Sequence, residues 1–211
     1  MDDQKTVFLR GEGDAYFRRN AEHNAHEHAA TLANLRHDPV IRVLAEFRPN
    51  RILEVGASNG WRLDVARRLW GAHAAGIDPS RDAVTDGQQR YPEVALRLGT
   101  ADALPNESFD CVIFGFCLYL CDRADLFRIA AEADRVLASN GYLVLYDFFP
   151  PSPYRNPYSH QAGVFSYKMD YSVLWRWHPA YTSWRHEVTA APGEDANDPD
   201  RRLAVTVLKK S

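Results

Sequence analysis

Between residues 51 and 148 the chain alternates between short apolar runs and longer stretches whose apolar residues recur three or four positions apart. Residues 52–56, 73–78, 94–99, 109–114 and 142–148 have the length and apolar character of strands. Between them, residues 59–70 carry apolar positions at Trp61, Val65, Ala66 and Leu69, and residues 124–137 at Leu126, Phe127, Ala130 and Val136. Both patterns predict helices, and a further helix is expected over residues 80–90. Asn140-Gly141 is expected to close the helix before it, because glycine tolerates the left-handed conformation of a C-cap. Strands alternating with helices of this length predict βαβ units and a mostly parallel sheet covered on both faces.

The flanks follow other patterns. Residues 14–35 scatter Ala15, Phe17, Ala25, Ala29 and Leu32 through a polar, histidine-rich background, which predicts one amphipathic helix. Asp38-Pro39 predicts the start of a second, with aspartate as N-cap and proline at the first helical position. After residue 148 a proline-rich turn leads into a loop holding Tyr154, Arg155, Tyr158 and His160. A short helix near residues 171–177 follows, and strand-like runs at 181–189 and 203–208 predict a terminal hairpin. The expected fold is a Rossmann-like, seven-stranded, mostly parallel α/β sheet with helices on both faces and a C-terminal antiparallel hairpin. It is read as a single domain, with a helical cap over residues 1–48, a core over 51–148, and a substrate loop and hairpin over 149–211.

Composition narrows the class. A chain of 211 residues, 45% hydrophobic and 12% aromatic, suits one globular domain. A net charge of -3 argues against binding nucleic acid by phosphate neutralisation. The N-terminal residues lack a signal-peptide pattern, and no window approaches the roughly 20 apolar residues of a membrane helix. A soluble, cytoplasmic protein is therefore expected, monomeric or homodimeric. Cys111, Cys117 and Cys121 share one apolar stretch and read as small buried hydrophobes. His23, His26 and Glu27 read as solvated positions, and no metal is expected. Trp175, Arg176 and Trp177 are read as packing onto the sheet rather than stacking on bases.

The chemistry gathers around "RILEVGASNGW", residues 51–61. A P-loop would need a lysine after Gly60, and none is there. A dinucleotide turn would need glycines where Ser58 and Trp61 stand, and Trp61 cannot give the close helix–strand packing of the third. Glu54 at the end of the first strand suits a cationic amino-acid group. Asp78, in "GIDPS", can accept both hydroxyls of a ribose, and Asp102, in "GTADALP", can accept from an adenine amino group. Acids at three successive strand ends point to S-adenosylmethionine (SAM) as cofactor.

"ILEVGASNG", "GIDPS", "GTADALP", "FDCVIFGFCLYL" and "RVLASNGYLVLYDF" together resemble the ordered motifs of the class I SAM-dependent methyltransferases, over residues 52–148. The resemblance implies that Glu54, Gly56, Ala57, Ser58, Asn59 and Gly60 cradle the cofactor. It implies further that Asp78 and Pro79 hold the ribose, that Ala101, Asp102 and Ala103 flank the adenine, and that Gly115 and Phe116 border the methionine moiety. Ser58 departs from the family glycine but is small. More loosely, "EGDAYFRRN" and "YRNPYSHQAGVFSYKMDY" are similar to bacterial methylases associated with nonulosonic-acid and other surface-sugar biosynthesis.

Methyl transfer is an in-line displacement in which the cofactor carries the difficult chemistry. A base is needed only if the acceptor is a hydroxyl or an amine. Tyr119, Asp147 and His160 are the candidates for it, from loops beyond the fourth and fifth strands. Tyr16 and Arg19, in a segment expected to cap the cleft, and Tyr154, Arg155, Tyr167 and Lys168 are candidate substrate contacts. The expected function is methylation of a small sugar, sugar-nucleotide or natural-product intermediate on oxygen or nitrogen. An RNA or protein methyltransferase and a non-catalytic SAM-binding partner subunit are the alternatives.

Overall fold

The computed structural model describes residues 3–190 and 193–211. The core strands are β1 (Arg51–Val55), β2 (His73–Asp78), β3 (Ala95–Leu98), β4 (Phe109–Gly115) and β5 (Leu137–Phe148). A two-stranded ribbon follows, β6 (Tyr154–Pro157) with β7 (Phe165–Lys168), and then β8 (Tyr181–Thr189) and β9 (Leu203–Lys210). Seven strands form one sheet in the order β3-β2-β1-β4-β5-β9-β8. The first five are parallel, and β9 runs antiparallel between β5 and β8. This is the expected mostly parallel sheet with a C-terminal hairpin.

The helices are α1 (Gln4–Val7), α2 (Gly13–Ala33), α3 (Pro39–Phe47), α4 (Trp61–Trp70), α5 (Arg81–Arg90), α6 (Leu126–Val136) and α7 (Val173–Arg176). Strand alternation sorts the side chains between two cores. On β4, Val112 and Phe114 pack with Ile129, Ala133 and Trp175 from α6 and α7. Cys111 and Ile113, with Ile52 from β1, face Ile41, Leu44, Leu63 and Val65 from α3 and α4. The start of α3 is as expected: the Asp38 side chain accepts from Ile41 N at 2.7 Å and Pro39 is the first helical residue. Its Ile41 and Leu44 are fully buried, each stabilising by about 1.5–3 kcal/mol.

Three expectations change. Asn140-Gly141 does not end a helix, since α6 stops at Val136 and β5 begins at Leu137. The pair makes an irregularity inside β5, where register slips from Phe109↔Leu137 to Cys111↔Tyr142 and Asn140 takes φ 64. A Cβ on Gly141 would lie 2.7 Å from Leu137 Cδ1 and 2.9 Å from Asp110 O. The expected loop after residue 148 contains the β6–β7 ribbon, masked in sequence by Pro157 at its end. In α2 the buried stripe is Phe17, Asn24 and Thr31, while Ala25 and Ala29 are exposed. Of that stripe, Phe17 and Asn24 line a cavity.

Sheet order reverses at β1, between β2 and β4, which opens a crevice beyond the strands' carboxyl ends. The N-terminal segment and the β8–β9 connection cover it.

Candidate active site

A cavity of about 770 Å³ occupies this crevice. Its deep end is framed by the turn after β1, which is left-handed at Gly56 (φ 72), Ser58 (φ 51) and Gly60 (φ 76). Gly56 N and Ala57 N donate to Ile77 O at 2.9 and 3.0 Å, and Ser58 N donates to Asp78 Oδ2 at 2.7 Å. The turn is thereby fastened to the end of β2. Serine at 58 bears the conformational cost a glycine would escape, and Asn24 Nδ2, from α2, donates to its Oγ at 3.0 Å. Gly56 is needed for packing as well, since a Cβ there would sit 2.5 Å from Cys117 Cβ.

Asp78 accepts from Ser80 N at 2.8 Å through its other oxygen. Burial pushes its carboxyl up to about 6, and each oxygen, with one donor so far, can accept another. Asp102 accepts from Lys5 Nζ at 2.8 Å, and Lys5 also reaches Asp125 at 2.9 Å. Burial raises the Asp102 carboxyl, but Lys5 and Thr100 outweigh it and hold it below the usual range.

Glu54 is placed differently from expectation. Strand alternation turns it to the same face as Ile52, beneath α4, where Arg62 Nη1 donates to its Oε1. Arg62 also bonds both oxygens of Asp38, at 3.1 and 3.2 Å, and stacks 4.6 Å from the Trp61 ring centroid. Burial pushes the Glu54 carboxyl up to about 7, partly offset by Arg62, and its Oε2 is buried without a hydrogen-bond partner. Gly115 leaves room for this pair: a Cβ there would lie 2.4 Å from Glu54 Oε1 and 2.8 Å from Arg62 Nη1. Arg62 and Asp38, not Glu54, line the cavity.

The outer end is assembled from distant segments. His23, Asn24 and Glu27 come from α2, His37 from the link to α3, Tyr146 from β5, Thr189 from the end of β8, and Glu194 and Arg201 from the β8–β9 connection. His37 Nε2 lies 3.1 Å from Glu27 Oε1, and His23 Nδ1 lies 4.0 Å from the same oxygen. Arg42 is paired with Glu187, and Arg201 with Glu194 at 2.6 Å. Among the described residues, no group of three or more His, Cys, Asp or Glu is arranged to hold a metal ion.

Of the candidate cofactor residues, Gly56, Ala57, Ser58, Asp78, Pro79, Ala101, Asp102, Gly115 and Phe116 line the cavity. Asn59 instead donates to Asp86 at 2.8 Å, Gly60 packs on Leu96, and Ala103 is exposed outside it. None of the three candidate bases lines the cavity. Asp147 accepts from Phe148 N at 2.8 Å and Tyr119 N at 3.3 Å, capping the turn after β4, and burial pushes it up to about 7. Tyr119 is buried between Phe116 and Phe148 and hydrogen-bonds Tyr16. His160 is exposed in the β6–β7 turn, beside Tyr158.

Tyr16 lines the cavity, but the other candidate substrate contacts hold structure together. Arg19 pairs with Glu12 at 2.5 Å and donates to Tyr158 Oη at 3.0 Å. Tyr154 and Lys168 both donate to Asp200 Oδ1 at 2.7 Å, bracing a residue of the cavity rim. Arg155 lies over the Phe165 ring, and Tyr167 carries Arg123 on its face. Trp175 is buried and donates to Ala130 O at 3.2 Å, whereas Trp177 is exposed. Cys111 is a core residue, and Cys117 and Cys121 border the cavity.

The sequence profile of the methyltransferase domain family matches residues 53–145, the stretch from β1 to β5 that builds the deep end. Over that stretch the chain is similar to a methyltransferase domain. An uncharacterized protein of Mycobacterium tuberculosis is 35% identical over 136 residues, 64% of this chain and 42% of the relative. The demethylmenaquinone methyltransferase of Thermotoga maritima is 30% identical over 124 residues, 55% of this chain and 51% of the relative. The chain thus spans about half the length of these curated relatives. Among solved structures, the 1,6-didemethyltoxoflavin-N1-methyltransferase of Burkholderia thailandensis, with bound 1,6-didemethyltoxoflavin and S-adenosylhomocysteine, superposes with a TM-score of 0.73. That likeness covers 98% of this chain and 88% of that one at 15% identity. It is a likeness of fold. Among the described residues, no helix is long and apolar enough to cross a membrane.

Proposed function

We propose that the chain is a SAM-dependent methyltransferase that methylates oxygen or nitrogen on a small polar acceptor, such as a sugar, a sugar nucleotide or a natural-product intermediate. The observation that carries this reading is one cavity running from Asp78 and Asp102 to His23 and Arg42 beneath the covering helix α2. Its volume of about 770 Å³ is that of a site for small molecules, which occupy clefts of roughly 300–1,000 Å³. The outer wall is charged and polar, which suits a hydrophilic acceptor.

The deep end fits the cofactor's chemistry. Asp78, short of donors, suits the two ribose hydroxyls, and Ala101 and Asp102 suit the adenine. Arg62 offers the amino-acid end a guanidinium for its carboxylate, and the unpartnered Glu54 Oε2 lies behind it. When bound, SAM supplies an electrophilic methyl group on a sulfonium. The chain's own share is to hold the acceptor in line behind that group, to keep water out with α2, and to set the proton state of the nucleophile. Positioning of this kind is worth roughly 7–11 kcal/mol of barrier.

Titration calorimetry with S-adenosylhomocysteine (SAH) and NAD tests the cofactor: SAH should bind and NAD should not, and failure of SAH to bind would overturn it. Radiolabelled SAM incubated with separate small-molecule, RNA and protein fractions of a bacterial lysate tests the acceptor. Label should enter the small-molecule fraction, and label confined to RNA or protein would overturn the small-acceptor reading.

A further inference from the structure

We infer that His37, oriented by Glu27, is the general base of the outer cavity, and that the acceptor therefore presents a hydroxyl or an amine rather than a carboxylate. This rests on the methyltransferase reading above and adds to it the class of nucleophile.

The geometry is a histidine held by a carboxylate at the rim of a cavity. His37 Nε2 lies 3.1 Å from Glu27 Oε1, and both residues line the cavity. An ionised carboxylate only accepts hydrogen bonds, so the neutral imidazole must carry its proton on Nε2. The lone pair is then on Nδ1, the nitrogen that Glu27 leaves unengaged. The side chains are 30% and 20% exposed, so the pair is reachable by a ligand and still connected to water. His37 directly precedes Asp38, whose carboxylate holds Arg62 at the deep end. The base is thus anchored beside the junction between the two ends of the cavity. The charged or titratable groups around it are His23, His26 and Glu27 from α2, and Arg36, Asp38 and Arg42 from the link and α3.

The step balances without a further reactant. The acceptor's oxygen or nitrogen lone pair forms a bond to the methyl carbon, and the methyl–sulfur bond breaks with its electron pair remaining on sulfur. The acceptor's proton passes to His37 Nδ1, and the imidazolium, stabilised by Glu27, later releases it to water. A carboxylate acceptor would have no proton to give, and the pair would serve no purpose there. The three bases suggested by sequence, Tyr119, Asp147 and His160, are all outside the cavity, which leaves this role open.

The test uses the full chain and the labelled-SAM assay with a bacterial small-molecule fraction. H37Q should lower the transfer rate by about 10²–10⁴-fold and leave SAH affinity unchanged. E27Q should lower the rate in the same direction. Nitrogen-15 NMR of the SAH complex should find His37 as the Nε2–H tautomer, with that preference lost in E27Q. An unchanged rate in H37Q, or a labelled product that is a methyl ester, would overturn the base while leaving the methyltransferase reading in place. A parallel fall in SAH affinity would assign His37 to cofactor binding and also overturn it. No transfer by the wild type to any small molecule would overturn the proposed function, and the base with it.

Discussion

The two ends of the cavity are built on opposite principles. At the deep end the charged groups are buried and mutually paired: Glu54 is fully inaccessible, and the Asp38 and Arg62 side chains are 4% and 11% exposed. At the outer end the pairs are looser and wetter, with His37 and Glu27 at 30% and 20%. A buried pair is held to one geometry because losing a partner strands a desolvated charge. An exposed pair has water as an alternative partner and stabilises the fold little. One end can therefore keep a fixed cradle while the other adapts to what it binds.

The strongest way to break this contrast is to remove the shared cation. Arg62→Met strands Glu54 and Asp38 together and should destabilise the fold by about 3–5 kcal/mol in urea denaturation. The deficit should depend on pH. Glu54 already has its carboxyl raised by burial to about 7, and without Arg62 it rises further. A raised carboxyl favours the fold where it is protonated, below its unfolded value of about 4.3, and that contribution is lost as pH rises through the folded value. The deficit should thus be smallest in acid and largest above pH 7. Glu27→Gln at the outer end should change stability by less than about 1 kcal/mol at any pH. Equal losses for the two variants would abolish the distinction.

Asp78→Ala sharpens the contrast on the ligand side. Losing two charge-assisted bonds to the ribose should weaken SAH by about 3 kcal/mol, on the order of 100-fold in Kd. Donors from the ligand favour ionised Asp78, so wild-type affinity should hold at neutral pH and fall as pH drops through about 6. That dependence should vanish in the variant. Calorimetry that finds wild-type affinity flat from pH 8 to pH 5 would remove Asp78 from the ribose.

The same division decided what could be read from sequence. The deep end is made of contiguous strand–turn segments, so Gly56, Ser58, Asp78 and Asp102 were each visible in a motif a few residues long. Glu54 was seen but misdirected, although period-two alternation with Ile52 already turns it under α4 toward Arg62. The outer end leaves no such trace. Glu27 comes from α2 and His37 from the link to α3, and the Arg42–Glu187 pair spans 145 residues. The histidine-rich stretch of α2 therefore read as solvent-facing. Asn24, a polar residue on the buried stripe with Phe17, is the available sign that this helix covers something other than apolar core. Local chemistry misled at Asn140-Gly141 too, where left-handed residues serve a strand irregularity rather than a helix end.

The smallest expected effect is at Ser58, where the two ends are tied by one hydrogen bond from Asn24. Two opposing quantities meet at this residue. Its left-handed φ of 51 costs a side chain roughly 1–2 kcal/mol that glycine does not incur. Its Oγ returns about 0.5–1.5 kcal/mol through Asn24. Ser58→Gly removes both and should be close to neutral in thermal denaturation. Ser58→Ala keeps the backbone cost, loses the bond and should destabilise by about 1 kcal/mol, as should Asn24→Ala. The double variant of Asn24→Ala with Ser58→Ala should add nothing further, because both changes delete the same bond. If the alanine and glycine variants at 58 prove equally stable, the turn relaxes out of its left-handed geometry without cost. The cap would then rest on α2's other contacts, and the deep end would be less rigid than its buried charges imply.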